Sequence, residues 1–247
     1  MRNAIRQTLG NDAYRRLTLY PRILRMALRP KAPRETAALP KLIRPGDVAF
    51  DVGANYGQYV RVLSPLVGAT GQVHAFEPSR ITMEGLRLMC RLLRLRNVAF
   101  HPLALSDQEG TAQLEIPIKD GGHLGIGLAR LHSGEHPPSL SEPVTITTLD
   151  AFMEQNDLRA CDFIKCDVEG AEYRVLQGGI ETLRRYRPRL ILEIKDAQLR
   201  RYGDTAAQLV QLLDSLRYDV YLWKDRQLVR MDAIDDSPNF IFMPRPG

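Results

Sequence analysis

The sequence is poor in cysteine and contains no long hydrophobic run. Its 247 residues include three cysteines, Cys90, Cys161 and Cys166, which are odd in number and lack C-x-x-C spacing. We therefore expect reduced thiols in the protein core rather than a disulfide or zinc framework. No apolar stretch reaches the roughly 18 to 20 residues of a membrane-spanning helix, and arginines interrupt the N-terminal segment, so no signal peptide is expected. These absences predict a cytoplasmic protein.

An excess of positive charge is absent outside the first part of the chain. Residues 1–46 hold eleven Lys/Arg and two Asp/Glu, a local charge of +9, and the net charge of +5 therefore leaves −4 for residues 47–247. A main body with this balance is not a nucleic-acid-binding surface. We divide the chain into a basic N-terminal helical arm and linker, residues 1–46, and a domain of residues 47–247.

The first 30 residues have the spacing of an amphipathic helix. Ile5, Leu9, Ala13 and Leu17 share one face, and arginines surround them. Such a helix packs against its own domain or, as a basic interfacial helix over residues 1–30, contacts an anionic membrane or a partner enzyme. The two interpretations are both open, and the second would place the protein peripherally at the inner face of the membrane.

A glycine-rich turn follows the first apolar segment of the domain. Residues 48–50 suit a buried parallel strand, and Asp51, Gly53, Asn55 and Gly57 follow in the pattern D-x-G-x-N-x-G before a helical sequence. The dinucleotide fingerprint G-x-G-x-x-G is absent, and a carboxylate at this position would repel a diphosphate but attract an ammonium group. The pattern favours S-adenosylmethionine as ligand over a purely structural glycine turn.

Two further strand ends carry polar side chains. Glu77 ends a predicted strand over residues 72–77, where an acid can accept hydrogen bonds from both ribose hydroxyls or instead cap the next helix. Ser106 and Asp107 follow a third predicted strand over residues 97–105. They either face the adenine amino group or form an Asx turn.

Asp167 and Glu169 end the fourth predicted strand, which begins at residue 163. Open α/β sheets bind ligands at the carboxyl ends of their central strands. These acids are therefore candidate catalytic residues, and the alternative is a capping pair for the next helix. Glu193 ends a fifth predicted strand in the same way.

A long loop separates the third and fourth strands. Residues 111–118 and 145–148 read as the two arms of a hairpin, and the loop of residues 120–143 between them contains His123 and two further histidines. Long loops within compact domains are usually functional or disordered. We interpret this one as the acceptor-binding lid, and no metal-ligand spacing is present in it.

Several of these motifs together resemble the FkbM family of S-adenosylmethionine-dependent methyltransferases. The likeness spans residues 47–243, and Cys166 stands where the family usually has Ile or Leu. The matching segments are 51–57, 75–78, 104–107, 164–172, 176–178, 187–189 and 239–242.

The resemblance implies an α/β, Rossmann-like class I methyltransferase fold, with a seven-stranded, mostly parallel sheet whose last strand is antiparallel. It implies O-methylation of a hydroxyl on a small-molecule, sugar or natural-product acceptor. Asp167 and Glu169 would lie between cofactor and acceptor. The residues implied around the cofactor are Asp51, Gly53, Asn55, Gly57 and Glu77, with Ser106 and Asp107 near adenine.

Methyl transfer to an alcohol requires alignment and is accelerated by a general base. The candidate bases are Asp167, Glu169 and His123. A divalent ion held by Asp167, Glu169 or Glu193 is an alternative, and we predict a site without metal because the sequence contains no clear ligand cluster. Other functions left open are N-methylation, a binding-only protein, and an NAD-dependent oxidoreductase, against which the missing G-x-G-x-x-G argues.

Overall fold

A computed structural model describes residues 21, 23–25, 33–119, 123–124, 130–131, 139–235 and 239–246. Most of the N-terminal arm and most of the loop of residues 120–143 lie outside these ranges. The strands are β1 (Val48–Val52), β2 (Gln72–Phe76), β3 (Val98–His101), β4 (Ala104–Leu105), β5 (Gly110–Lys119), β6 (His123–Leu124), β7 (Arg130–Leu131), β8 (Ser139–Thr147), β9 (Phe163–Cys166), β10 (Arg189–Glu193), β11 (Tyr218–Lys224), β12 (Gln227–Met231) and β13 (Asn239–Pro244).

Helices connect these strands on both sides of the main sheet. A short 3₁₀ helix, Arg34–Ala38, precedes the first of them, and another, Arg200–Tyr202, follows the helix Asp196–Leu199. The α-helices are α1 (Leu39–Leu42), α2 (Val60–Val67), α3 (Arg80–Leu92), α4 (Leu149–Gln155), α5 (Glu172–Gln177), α6 (Ile180–Tyr186), α7 (Asp196–Leu199) and α8 (Ala206–Ser215). None of the helices in the described ranges is long and apolar enough to cross a membrane.

The main sheet has the strand order β12-β11-β13-β10-β9-β1-β2-β3. Strands β3, β2, β1, β9 and β10 pair in parallel, and β13 is antiparallel to both of its neighbours. The predicted Rossmann-like fold is thus confirmed, with β13 as the antiparallel last strand. The sheet has eight strands rather than the predicted seven, because β12, for which no strand is predicted, extends it through a two-residue turn at Asp225 and Arg226, both with positive φ.

Both faces of the main sheet are buried, as expected for parallel strands covered by helices. Alternate strand residues enter two hydrophobic clusters: one includes Phe50, Ile164 and Leu190, and the other includes Ala49 and Phe163. The second face is covered by α1, α2 and α3. The carboxyl ends of the central strands are left at one edge, where the polar residues of the site lie.

The predicted third strand is split in two. β3 ends at His101, and Pro102 follows, which has no N–H to donate to a neighbouring strand. Ala104 and Leu105 instead pair with β8 in a second sheet of order β4-β8-β5-β6, with β7 also on β5. The predicted hairpin is confirmed, because β5 and β8 pair antiparallel with Thr111 opposite Thr145.

The segment that precedes β1 is packed into the domain. Ala38, Leu39 and Leu42 are fully buried in the cluster that covers the second face of the sheet. Further toward the N-terminus, Ile23 is fully buried against Tyr56 and Met89. The division at residue 46 stays a prediction, but these contacts tie part of the predicted arm and linker to the domain.

Candidate functional site

Four neighbouring strands, β2, β1, β9 and β10, bring their carboxyl ends to one edge of the main sheet. Asp51 and Glu193 lie within the last two residues of β1 and β10, and Glu77 and Asp167 directly follow β2 and β9. The four strand-end acids predicted from the sequence therefore lie side by side. This edge is where an open α/β sheet binds its ligand.

The turn after β1 is in direct contact with the turn after β9. Gly53 has φ +78°, and a Cβ there would lie 1.9 Å from the carbonyl oxygen of Asp167. Gly57 has φ +84°, and a Cβ there would lie 2.7 Å from Leu86 of α3, so the close contact at Gly57 is with a helix. Asn55 also has a positive φ, 49°, and its side-chain oxygen accepts a hydrogen bond from the backbone N–H of Tyr56.

The Glu77 carboxylate forms hydrogen bonds with the turn after β1 and with the turn after β2. One carboxylate oxygen accepts from the Asn55 N–H at 2.9 Å and the other from the Ser79 N–H at 3.0 Å. Burial raises the pKa of Glu77 to about 7 despite these two hydrogen bonds. Each carboxylate oxygen has a further lone pair, so the held carboxylate can still accept from a ligand hydroxyl.

Asp51 is 1% exposed, and neither of its carboxylate oxygens has a hydrogen-bond partner within the described ranges. Burial raises its pKa to about 6, and the positive charge of Lys165 opposes that rise. Lys165 is opposite Asp51 in the parallel register of β1 and β9, so both side chains point to the same face. The predicted role of Asp51 toward a ligand amine stays a prediction.

Lys165 is a site residue that the sequence analysis missed. Its side chain is 3% exposed, and its ammonium group donates to Asp167 Oδ2 at 2.9 Å. Burial raises the pKa of Asp167, but Lys165 and Lys195 outweigh it, and the net shift is downward. The available signal was a lysine within an otherwise apolar four-residue strand.

Two further carboxylates flank Asp167. Glu169, with φ +57°, accepts from the Gln198 side chain at 2.8 Å, and burial together with Asp167 raises its pKa to about 7. Glu193 pairs with Lys195 at 2.8 Å, and burial and Asp167 raise its pKa. Neighbouring carboxyl groups in the site therefore differ in pKa: that of Asp167 is lowered, whereas those of Glu169 and Glu193 are raised.

The turn after β9 is stabilised by a different acid from those predicted. Glu172, 1% exposed, accepts from the backbone N–H groups of Val168 and Gly170 at 2.8 and 3.2 Å. Glu172 therefore holds the turn that precedes α5 and does not cap the helix, because Val168 and Gly170 lie before its first residue.

Among the residues that the structure describes, Asp167, Glu169 and Glu193 form a group that could hold a metal ion, with one oxygen from each within 4.8 Å of the others. Lysine ammonium groups already pair with Asp167 and Glu193, so positive charge is present at these carboxylates without a metal. The metal-free site stays a prediction.

Ser106 and Asp107 follow β4 in the second sheet. Ser106 is buried, and its hydroxyl donates to the Asp107 carboxylate at 3.0 Å. Their predicted place near adenine is untested. His123 begins β6 opposite Lys119, but its side chain, like His132 and His136, lies outside the described part of the chain.

The second sheet contacts the main domain on both sides of the strand-end acids, after β2 and after β10. The Arg80 N–H, shortly after β2, donates to Glu142 of β8 at 3.3 Å. The Tyr202 hydroxyl, after β10, donates to the backbone oxygen of Leu131 at 2.9 Å. The hairpin that carries the predicted lid is therefore anchored beside the acids.

Comparisons with known proteins agree with this architecture. A sequence model described as "Methyltransferase FkbM domain" matches residues 51–220. The 31-O-demethyl-FK506 methyltransferase FkbM of Streptomyces tacrolimicus is 28% identical over 159 residues, which are 55% of this chain and 60% of that protein.

Solved structures are similar in fold. The match to the crystal structure of methyltransferase FkbM from Methylobacillus flagellatus KT has a TM-score of 0.50 at 16% identity and covers 95% of this chain and 60% of that one. An O-methyltransferase from Thermotoga maritima matches with a TM-score of 0.48 at 14% identity, over 91% of this chain and 72% of that one. The chain thus spans about 60% of the length of the two FkbM relatives.

Proposed function

We propose that this chain, which belongs to the FkbM family of methyltransferases, transfers a methyl group from S-adenosylmethionine to a hydroxyl of a small-molecule or glycan acceptor. The observation that carries the proposal is the Glu77 carboxylate, which two backbone N–H groups hold at the edge of the D-x-G-x-N-x-G turn. A fixed carboxylate with spare lone pairs suits a ligand with vicinal hydroxyls and no phosphate.

The residues present fit the methyl donor. Glu77 accepts from the ribose hydroxyls, and the orphaned, buried carboxylate of Asp51 contributes negative charge toward the donor's cationic end. Gly53, Asn55 and Gly57 all have positive φ values and shape the turn beside the ligand, and the two glycines do so without a side chain. When bound, the donor supplies a methyl group activated by a positively charged sulfur.

Asp167 and Glu169 act on the acceptor. Asp167, whose pKa is held low beside Lys165, stays ionised and orients the acceptor hydroxyl by accepting its hydrogen bond. Glu169, with a pKa of about 7, takes the hydroxyl proton, because a general base is most effective when its pKa lies near the working pH. The hairpin of β5 and β8 carries the acceptor-binding loop that excludes water.

A hydroxyl acceptor is favoured over an amine by the similarity to the Streptomyces tacrolimicus protein, which is a 31-O-demethyl-FK506 methyltransferase. The test is incubation with deuteromethyl-labelled S-adenosylmethionine and a panel of sugars, polyketide-type alcohols and matched amines, read by mass spectrometry. An O-methyl product supports the proposal. N-methyl products alone would replace it with the amine alternative, and donor binding without any product would favour a binding-only protein.

A further inference from the structure

A buried ammonium group lies between two carboxylates in the middle of the site. Lys165 Nζ is 2.9 Å from Asp167 Oδ2, and Asp51 is its register partner on β1. Its side chain is 3% exposed. Burying a lysine is costly unless opposite charges compensate it. The neighbouring carboxylates therefore favour this position of the ammonium group.

The ammonium group of Lys165 also contacts an aromatic ring. Lys165 Nζ lies 4.8 Å from the ring centroid of Tyr59, within range of a cation–π interaction. Tyr59 is 5% exposed, and its hydroxyl donates to Glu35 at 3.2 Å. Glu35 belongs to the 3₁₀ helix Arg34–Ala38, which precedes the residues 51–220 matched by the family model.

We propose that Lys165 is a positioning residue that orients the Asp167 carboxylate toward the acceptor, and that Tyr59, fixed by Glu35, holds the lysine in place. This inference rests on the proposed function. Because Nζ donates to Oδ2, it fixes the direction in which the Asp167 carboxylate faces the acceptor hydroxyl. Fixed orientation of a reacting group is a main source of enzymatic rate enhancement.

Other charged groups also face Asp167. Those that affect its protonation or are affected by it come from β1, the residue before α2, β9 and the turn after it, the first residue of α5 and the end of β10. Lys195 is the other cation among them, but its side chain is 43% exposed, so solvent screens its interaction with Asp167 more than that of Lys165. The remaining groups are Asp51, Tyr59, Cys166, Glu169, Glu172 and Glu193.

The test compares Lys165→Met with Lys41→Met. Lys41 is a matched control because its ammonium also lies over an aromatic ring, that of Trp223, and donates one hydrogen bond, to the Arg226 carbonyl oxygen in the turn between β11 and β12. At saturating donor and acceptor we expect kcat of Lys165→Met to fall about 100-fold, whereas Lys41→Met behaves as wild type. A folded Lys165→Met enzyme with kcat within about threefold of wild type would overturn the inference.

A second variant covers the case in which Lys165→Met does not fold. Tyr59→Leu keeps the lysine and removes only its aromatic wall, and we expect kcat to fall about tenfold with unchanged donor Kd. Tyr59→Phe, which keeps the ring and loses the bond to Glu35, is expected to lie between Tyr59→Leu and wild type. An unaltered kcat in Tyr59→Leu would count against the inference.

A readout without turnover separates this inference from the proposed function. In protein labelled at the aspartate carboxyl carbons, the Asp167 NMR resonance, assigned by its loss in Asp167→Asn, reports when that carboxyl takes up a proton. We expect its titration midpoint to rise in Lys165→Met, or in Tyr59→Leu if that variant is used, and not in Lys41→Met. An unshifted midpoint would refute the role of Lys165 even if the wild-type protein methylated nothing, an outcome that by itself would refute only the proposed function.

Discussion

Gly53 and Asp167 are in contact through the backbone: the space that a Gly53 side chain would need is occupied by the Asp167 carbonyl group. The turn proposed to bind the donor and the turn that carries the proposed catalytic acids therefore form one rigid unit. Since the two turns follow adjacent parallel strands, the sheet itself sets their spacing. The residues proposed to bind the donor therefore lie at a fixed distance from those proposed to act on the acceptor.

Replacement of Gly53 by alanine is expected to destabilise the protein by about 3 kcal/mol or more, because a backbone clash adds to the cost of positive φ. Gly203→Ala is the control: Gly203 has φ +81° but open space around its Cβ position, so it should lose only about 1 kcal/mol. Urea unfolding of both variants measures the difference. Equal losses would show that the contact with Asp167 is unimportant.

Replacement of Glu77 by alanine is expected to weaken binding of S-adenosylmethionine by about 1.5–3 kcal/mol, the range for hydrogen bonds to a charged group. Asp150→Ala is a matched control, since Asp150 also accepts from two backbone N–H groups, those of Glu181 and Thr182, in a different part of the fold. Calorimetry should give the control wild-type affinity. A Glu77→Ala protein with wild-type donor affinity would exclude the ribose role.

Glu169→Gln is expected to lower kcat by about 10²–10⁴-fold, the usual contribution of a general base. For the wild-type enzyme, activity should rise with pH through about 7, where the Glu169 carboxyl loses its proton, and that rise should vanish in the variant. Initial rates between pH 5.5 and 8.5 test this. If the rise persists in Glu169→Gln, the base is another group, and Asp167 and His123 are the next candidates.

A histidine pair in the core is expected to make the stability of the protein depend on pH. His74 Nδ1 and His101 Nε2 are 3.0 Å apart in a stack with Phe50 and Phe76, against which Phe152 packs edge-on, and burial lowers both pKa values to about 4. Between about pH 4 and 6.5 the unfolded chain binds protons at these histidines that the folded chain does not, so their contribution to stability falls as the pH falls.

The buried carboxyls with raised pKa values, such as Glu77 and Glu172, act with the opposite sign. The histidine contribution must therefore be measured as the difference between wild type and His74→Phe. We expect wild type to gain roughly 2 kcal/mol relative to this variant as the pH rises from 4 to 6.5. A difference that does not change with pH would show that His74 titrates normally.

Ile23→Ala is expected to destabilise the protein by about 2–4 kcal/mol, because its fully buried side chain packs against Tyr56 and Met89. Its neighbour Leu24 is 46% exposed, so Leu24→Ala should cost less than about 1 kcal/mol. Thermal and urea unfolding compare the two. A neutral Ile23→Ala would leave the arm free to act as the predicted interfacial helix.

Several parts of the fold followed from local pattern. The apolar strands, the glycine turn and the hairpin of β5 and β8 are encoded by consecutive residues, and they are found as predicted. The prediction of a single third strand over residues 97–105 is wrong because Pro102 cannot donate a hydrogen bond to a neighbouring strand. β12 is absent from the prediction because its turn, Asp225-Arg226, lacks the glycine or asparagine that usually marks positive φ.

By itself, the sequence determined that Asp51, Glu77, Asp167 and Glu193 would meet, because residues that end neighbouring parallel strands must share one edge of the sheet. Only the tertiary structure decided how these acids are compensated: that Lys165 engages Asp167, that Tyr59 and Glu35 enclose the lysine, and that Glu172 rather than Glu169 holds the turn. Those pairings depend on which side chains from distant segments come within a few ångströms, and the packing of the helices on the sheet, rather than any local pattern, sets those distances.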